Sequence, residues 1–253
     1  MYPSIDILGL SLPTGPLALI AAFYAGLWLA GREADRLDLD PNLPWDFGTA
    51  ALVAGIVGAR GWYVAVNWPA YALDWKQAFA LASGSLAIAP GAIIGIVVGL
   101  IWIGRRGVDW PAFADALAPG LALMQAIAGL GAFLSGEAYG EPSNVPWAIQ
   151  LWGEARHPVQ IYEALVGSAV LVGLWYLRRS KLYAGFVFLL YVLLAAVGRL
   201  FLEAFRGNPA LLPGGFRTMQ VLSLAIALVA WLTLYARKAG PLRLMPSKRT
   251  GQE

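Results

Sequence analysis

Charged side chains interrupt stretches of this sequence that are otherwise almost wholly apolar. Glu203 and Arg206 follow Arg199 at four and seven positions, so all three are predicted on one face of a helix. Two cations and one anion leave this stripe with a net positive charge, which suits an anionic lipid headgroup. The alternative is an internal salt-bridge stripe that only neutralises its own burial. Because an ionisable side chain in an apolar span is costly to bury, we favour a functional role.

The one histidine of the chain belongs to a dense polar segment. His157 is followed within two turns by Gln160, Tyr162 and Glu163. Imidazole is the side chain whose ordinary pKa lies near neutrality, so this segment is a candidate for acid–base chemistry. A single histidine is more often a satisfied structural residue, and that interpretation stays open.

Two further charges stand in apolar segments. Glu137 ends a run that contains Gly129 and Gly131, and such small residues allow helices to pack closely. Glu137 is either a base, a ligand anchor or simply the partner of Arg199 or Arg60. Arg60 offers a planar fork of donors for a phosphate or carboxylate. The alternative for Arg60 is a side chain that reaches to the headgroups or pairs for packing.

The composition indicates which elements must position these side chains. Of the 253 residues, 59% are hydrophobic and 13% are charged, which is about half the charged share of a soluble domain. This balance excludes a disordered chain, and a sequence without cysteine excludes a disulfide framework or a cysteine-ligated metal site. A membrane-spanning helix needs about 20 mostly apolar residues. Seven candidate spans meet this need: 12–31, 47–67, 85–104, 114–135, 161–177, 183–205 and 219–236. We therefore predict an all-α polytopic membrane protein.

The loops between these spans predict the orientation. Twelve Lys and Arg residues fall on one side or in the C-terminal tail, and the other side carries only Lys76, Arg156, Arg206 and Arg217. Cytoplasmic loops are the basic ones, so the N-terminus is expected outside and the C-terminus in the cytoplasm. No Lys or Arg precedes the first span, which is expected to stay in the mature protein. Basic residues do not cluster on one soluble face, and nucleic acid is not an expected partner.

The predicted organisation is one seven-helix transmembrane domain over residues 1–236. Its outward loops are expected at 68–84, 138–160 and 206–218, and a basic cytoplasmic tail at 237–253. The sequence carries no phosphate loop and no histidine metal cluster, so neither a cofactor nor a metal is expected.

Three motifs occur in order along these spans. They are Gly-Glu-x-Tyr-Gly at 136–140, His-Pro-x-Gln-x-Tyr-Glu at 157–163 and Gly-Arg-x3-Glu-x2-Arg at 198–206. In these motifs and in its topology the chain resembles the prolipoprotein diacylglyceryl transferase family of the bacterial inner membrane. The resemblance implies transfer of diacylglyceryl from phosphatidylglycerol to the lipobox cysteine thiol of a prolipoprotein, with release of glycerol phosphate. It implies Arg199, His157 and Glu137 as catalytic residues, and Arg60, Glu203, Arg206, Gln160 and Tyr162 as lipid or phosphate ligands.

The chain departs from the family's pattern at four polar positions. Ala89 stands where the family usually has a histidine, Gly129 where it usually has an arginine, and Ala132 and Ser135 where it usually has asparagines. One hypothesis is a transferase that acts through its retained charges. Another is a noncatalytic relative that serves as a lipid-binding scaffold or as a subunit of a membrane complex. A different lipid-headgroup enzyme on the same fold is a third, because a fold does not determine its chemistry.

Overall fold

The computed structural model describes residues 3–7, 10–72, 74–79, 86–179 and 183–239. Helices dominate, and two short antiparallel hairpins of β-strands accompany them. In chain order the elements are β1 (Ser4–Ile7), β2 (Leu10–Pro13), α1 (Thr14–Arg36), α2 (Leu43–Val66), α3 (Trp68–Tyr71), α4 (Ile88–Gly104), α5 (Trp110–Ser135), β3 (Ile149–Leu151), β4 (Glu154–Arg156), α6 (Val159–Leu177), α7 (Phe186–Leu202) and α8 (Thr218–Ala239). The start of the predicted third span, part of the predicted loop at 68–84 and the predicted tail from residue 240 onward lie outside the described residues.

Six of the described helices are long and apolar enough to cross a membrane. They are α1, α2, α5, α6, α8, and α7 with the turn that follows it. These helices confirm the prediction of a helical, polytopic membrane protein. The apolar helix α4 has 17 residues, a length of roughly 25 Å against a hydrocarbon core of about 30 Å. The seventh span therefore stays a prediction.

The chain forms two compact units, and the smaller one is Ala34–Trp110. Within it α2 packs on α4 through glycines. A Cβ built on Gly91 would lie 2.7 Å from the backbone oxygen of Gly55, and one on Gly58 would lie 2.7 Å from the side chain of Ile94. Only glycine leaves room for so close an approach of the two helices.

The larger unit is Met1–Glu33 together with Pro111–Glu253. Its apolar core joins α5, α6 and α7 through buried Ala118, Ala122, Val170, Leu174 and Val187. A Cβ on Gly129 would lie 2.7 Å from the backbone nitrogen of Ala164, so α5 and α6 are in direct backbone contact there. This contact confirms that the small residues of the predicted fourth span serve close packing.

One end of the helices in this unit is closed by buried polar contacts, and we call it the Asp115 end. Asp115 on α5 accepts the backbone N–H of Gly185 at 2.7 Å and of Phe188 at 2.8 Å. A carboxylate in this position caps the start of α7 and complements its dipole. Glu33 near the end of α1 forms a buried ion pair with Arg178, just after α6.

The opposite end of α7 departs from the predicted helix. The α-helix stops at Leu202, a 3₁₀ turn follows over Glu203–Phe205, and Arg206 is extended with ψ 130°. The prediction that Arg199, Glu203 and Arg206 share one helix face is therefore wrong for Arg206. The physical reason is that the guanidinium of Arg217 donates to the backbone oxygens of Glu203 and Arg206. A side chain thus satisfies carbonyls that a longer helix would satisfy with its own amides.

Candidate active site

Glu163 is the centre of a charged cluster where α6 begins and α7 ends. Its Oε1 atom accepts a hydrogen bond from Nη1 of Arg199 at 2.7 Å and another from Nη1 of Arg206 at 2.9 Å. Nη2 of Arg199 lies 3.2 Å from Oε2 of Glu203, an ion pair within one helical turn. The end of the larger unit that holds this cluster is called the Glu163 end below.

Charge within this cluster is balanced rather than positive. Arg199 and Arg206 face Glu163 and Glu203, so two cations meet two anions. The net positive charge expected for the stripe is therefore wrong for the cluster as a whole, because Glu163 approaches it from α6. The side chain of Arg199 is 33% exposed.

Arg217 and Glu141 belong to the same end, although sequence reasoning treated Arg217 only as a loop charge and did not consider Glu141. Arg217 donates to the Glu203 oxygen, to the Arg206 oxygen at 3.1 Å, and to the carboxylate of Glu141. These contacts join the segment after α7 to the loop after α5. The partners lie far apart along the chain, so no short-range spacing could have revealed them.

Gln160 and Glu137 lie where α5 meets α6. Gln160 is fully buried, and its side-chain amide donates to the backbone oxygen of Glu137 at 2.7 Å. Its Oε1 atom is buried without a donor among the residues that the structure describes. The Glu137 side chain is exposed, and within the described ranges its carboxylate takes part in no hydrogen bond or ion pair. The suggested pairing of Glu137 with Arg199 is wrong, since Arg199 binds Glu163 and Glu203.

His157 is held among aromatic rings. Its Nδ1 atom lies 3.3 Å from the Tyr162 hydroxyl, and that hydroxyl accepts the indole N–H of Trp147 at 2.6 Å. The Phe205 ring packs on the imidazole with 5.0 Å between centroids. The structure thus brings His157 and Tyr162 together at the Glu163 end. Trp147 joins them, and no signal in the sequence indicated this contact because Trp147 lies outside the three motifs.

Arg60 belongs to the smaller unit and is described there. Its side chain donates to the backbone oxygens of Ala78 at 2.8 Å and of Gln77 at 2.7 Å. The rings of Tyr63 and Tyr71 lie within 6 Å of its guanidinium. These contacts favour the packing interpretation of Arg60, because they fix the segment that follows α3.

Comparisons with known proteins identify the family of this chain. The family model described as prolipoprotein diacylglyceryl transferase matches residues 5–236. This chain belongs to the prolipoprotein diacylglyceryl transferase family. The family predicted from the three motifs is thereby confirmed.

Three relatives illustrate the match, and each is named phosphatidylglycerol–prolipoprotein diacylglyceryl transferase. The chain is 33% identical to that of Clostridioides difficile (strain 630) over 208 residues, which are 82% of this chain and 84% of that protein. It is 36% identical to transferase 1 of Streptomyces coelicolor over 236 residues, 87% of this chain and 68% of that protein. It is 32% identical to that of Bacillus cereus (strain B4264) over 225 residues, 84% of this chain and 83% of that protein.

Two of the departures from the family's pattern occupy different surroundings. Gly129 sits in the backbone contact of α5 with α6, where even a Cβ would lie 2.7 Å from the nitrogen of Ala164. An arginine at this position would push the two helices apart, so the glycine belongs to a closed helix contact. Ala89 lies in the first turn of α4 and is exposed. The lost arginine thus falls at a helix contact of the larger unit, and the lost histidine falls at an exposed position of the smaller one.

Proposed function

We propose that this chain is a transferase that moves diacylglyceryl from phosphatidylglycerol to the lipobox cysteine thiol of a prolipoprotein. Its family membership and its relatives' names support the transferase prediction over the noncatalytic scaffold. The observation that supports a site for this reaction concerns Glu163. Its Oε1 atom accepts hydrogen bonds from both Arg199 and Arg206. That shared contact gathers two guanidinium groups at one end of the helices.

The reaction replaces a carbon–oxygen bond by a carbon–sulfur bond. The cysteine sulfur attacks the glyceryl carbon that carries the phosphate, and the bond from that carbon to the phosphate oxygen breaks. Glycerol phosphate leaves with the bonding electrons, so its phosphate goes from one negative charge to two. The thiol proton is lost in the same reaction, because the thiolate is the nucleophile.

Arg199 and Arg206 are proposed to stabilise the departing phosphate. Donors that are already oriented toward a developing negative charge are usually the largest single contribution to catalysis. In the free protein Glu163 holds both guanidinium groups in position, and their other N–H groups remain for the phosphate. Glu203 is proposed to orient Arg199, because its buried carboxylate lies 3.2 Å from Nη2 of Arg199.

Glu137 is proposed to accept the thiol proton. Its exposed carboxylate has no cation bound to it within the described residues, unlike Glu163 and Glu203. Gln160 supports it by fixing its backbone oxygen, and Tyr162 supports His157. Arg60 is proposed to act without contacting the lipid. Its guanidinium holds the segment that follows α3 in the smaller unit.

The proposed setting is the bacterial cytoplasmic membrane, with α4 as the seventh span, the N-terminus outside and the C-terminus inside. The distribution of Lys and Arg in the loops supports this orientation. It puts the Glu163 end on the outer side, where a prolipoprotein signal peptide presents its cysteine.

The test is product formation by purified protein from labelled phosphatidylglycerol and a lipobox peptide. Arg199→Ala is expected to lower the rate about 100- to 1,000-fold, the usual effect of removing one such donor. Arg106→Ala is the matched control, because Arg106 forms an exposed ion pair with Asp46 in the smaller unit. An unaffected Arg199→Ala would refute the phosphate assignment. No product from the unaltered chain, beside an active relative, would instead favour a scaffold or a subunit of a membrane complex.

A further inference from the structure

Trp147, Tyr162 and His157 form a chain of hydrogen bonds that has a direction. The indole nitrogen of Trp147 lies 2.6 Å from the Tyr162 oxygen, and that oxygen lies 3.3 Å from Nδ1 of His157. An indole N–H is only a donor, so the first bond runs from Trp147 to Tyr162. A phenol has a single proton, and the remaining question is where that proton points.

We infer that Trp147 acts through Tyr162 to place the proton of neutral His157 on Nε2. With the indole N–H accepted, the Tyr162 hydroxyl still has its own proton to donate, and Nδ1 lies 3.3 Å away. Nδ1 is then the acceptor. A neutral imidazole carries one N–H, so that N–H is on Nε2.

The inferred tautomer gives His157 a different role from a general base. Its basic nitrogen is engaged by Tyr162, and Nε2–H is left as a donor for an anionic oxygen. The Phe205 and Tyr162 rings pack against the imidazole at 5.0 and 6.2 Å between centroids and limit its rotation. Trp147 is a positioning residue in this account, since it contacts Tyr162 rather than a substrate. Only the identity of the anion as a phosphate rests on the proposed function.

A direct test is available because His157 is the one histidine of the chain. Protein labelled with ¹⁵N-histidine gives the resonances of a single imidazole, and long-range ¹⁵N–¹H correlations identify the protonated nitrogen. In the neutral imidazole we expect Nε2 protonated and Nδ1 bare. A protonated Nδ1 in the unaltered protein would overturn the inference. The spectrum needs no substrate, so a failed transfer assay would not change its outcome.

Matched tryptophan variants test the role of Trp147. Trp147→Phe keeps an aromatic ring but removes the indole N–H. The Tyr162 oxygen can then accept a hydrogen bond from Nδ1–H in its place. A population with Nδ1 protonated is expected in that variant. Trp152→Phe is the control, since Trp152 lies in the turn between β3 and β4 and is also exposed, at 71% against 61% for Trp147. If the two variants give the same imidazole spectrum as the unaltered protein, Trp147 does not set the tautomer.

Discussion

The two ends of the helices in the larger unit both pair Glu with Arg, but the pairs differ in burial and in the number of partners. At the Asp115 end, Glu33 and Arg178 form a buried pair whose side chains are 2% and 8% exposed. At the Glu163 end, one carboxylate serves two arginines, and the side chains of Arg199, Arg206 and Glu163 are 17–33% exposed. A buried pair resists any exchange of partners, whereas a shared and partly hydrated carboxylate can give up part of its bonding to a phosphate. Burial and the sharing of partners therefore distinguish charges that hold the fold from charges that are available to a ligand. By this criterion Glu203, whose side chain is 1% exposed beside Arg199, is a positioning residue.

The largest expected effect concerns the stability of the Asp115 end. Arg178→Ala removes the guanidinium that faces the buried carboxylate of Glu33 and is expected to lower the free energy of unfolding by about 3–5 kcal/mol. Unfolding in detergent micelles, followed by titration with denaturant, measures this change. Arg179→Ala is the matched control on the next residue, which is exposed, and it should change stability by no more than about 0.5 kcal/mol.

The comparison also predicts how the Arg178 variant can be rescued. Replacing Glu33 and Arg178 together by apolar residues of similar volume removes both buried charges, and much of the stability should return. A double variant as unstable as Arg178→Ala would show that the ion pair is not the reason for the loss.

A smaller effect is expected from the cap of α7. Asp115→Ala leaves the amides of Gly185 and Phe188 without their acceptor, at an expected cost of about 1–3 kcal/mol. Hydrogen exchange at the first turn of α7 should accelerate in the same variant. Asp35→Ala, at an exposed position in the last turn of α1, should change neither quantity; equal losses in the two variants would contradict the cap.

Arg217 gives the smallest of these effects, and it lies at the Glu163 end. Arg217→Gln removes the donor that orders the backbone of Glu203 and Arg206. The binding free energy for the lipid should weaken by about 1 kcal/mol, which corresponds to a roughly fivefold rise in KM. The rate at saturation, kcat, should stay nearly constant, because Arg217 is not proposed to touch the reacting atoms. A fall in kcat with unchanged KM would place Arg217 in the chemical step instead.

The sequence predicted the membrane-spanning helices well because long apolar runs are a local signal. Six of the seven predicted spans coincide with helices that are long and apolar enough to cross a bilayer. The end of α7 was not predictable from spacing, since it depends on Arg217 donating to carbonyls from another segment. The balance of charge was missed for a related reason. Glu163 belongs to a different helix, and only tertiary packing brings it to Arg199 and Arg206.

Gly129 and Ala89 show another limit of sequence reasoning. Both stand where the family usually has a polar residue, and the sequence presents them alike. The structure shows Gly129 in a backbone contact with α6, where no side chain fits. Sequence alone could not distinguish a vacated ligand position from a helix contact, because that difference depends on what lies opposite the glycine.

The charges at the Glu163 end are proposed to serve the reaction rather than the fold, and Arg206→Gln tests this most directly. Glu163 keeps Arg199 as a partner in this variant, so the change in the free energy of unfolding should stay within about 1 kcal/mol. The rate of transfer from labelled phosphatidylglycerol to a lipobox peptide should nevertheless fall about 100-fold or more. An unchanged rate would contradict the account, and so would a loss of stability as large as that of Arg178→Ala.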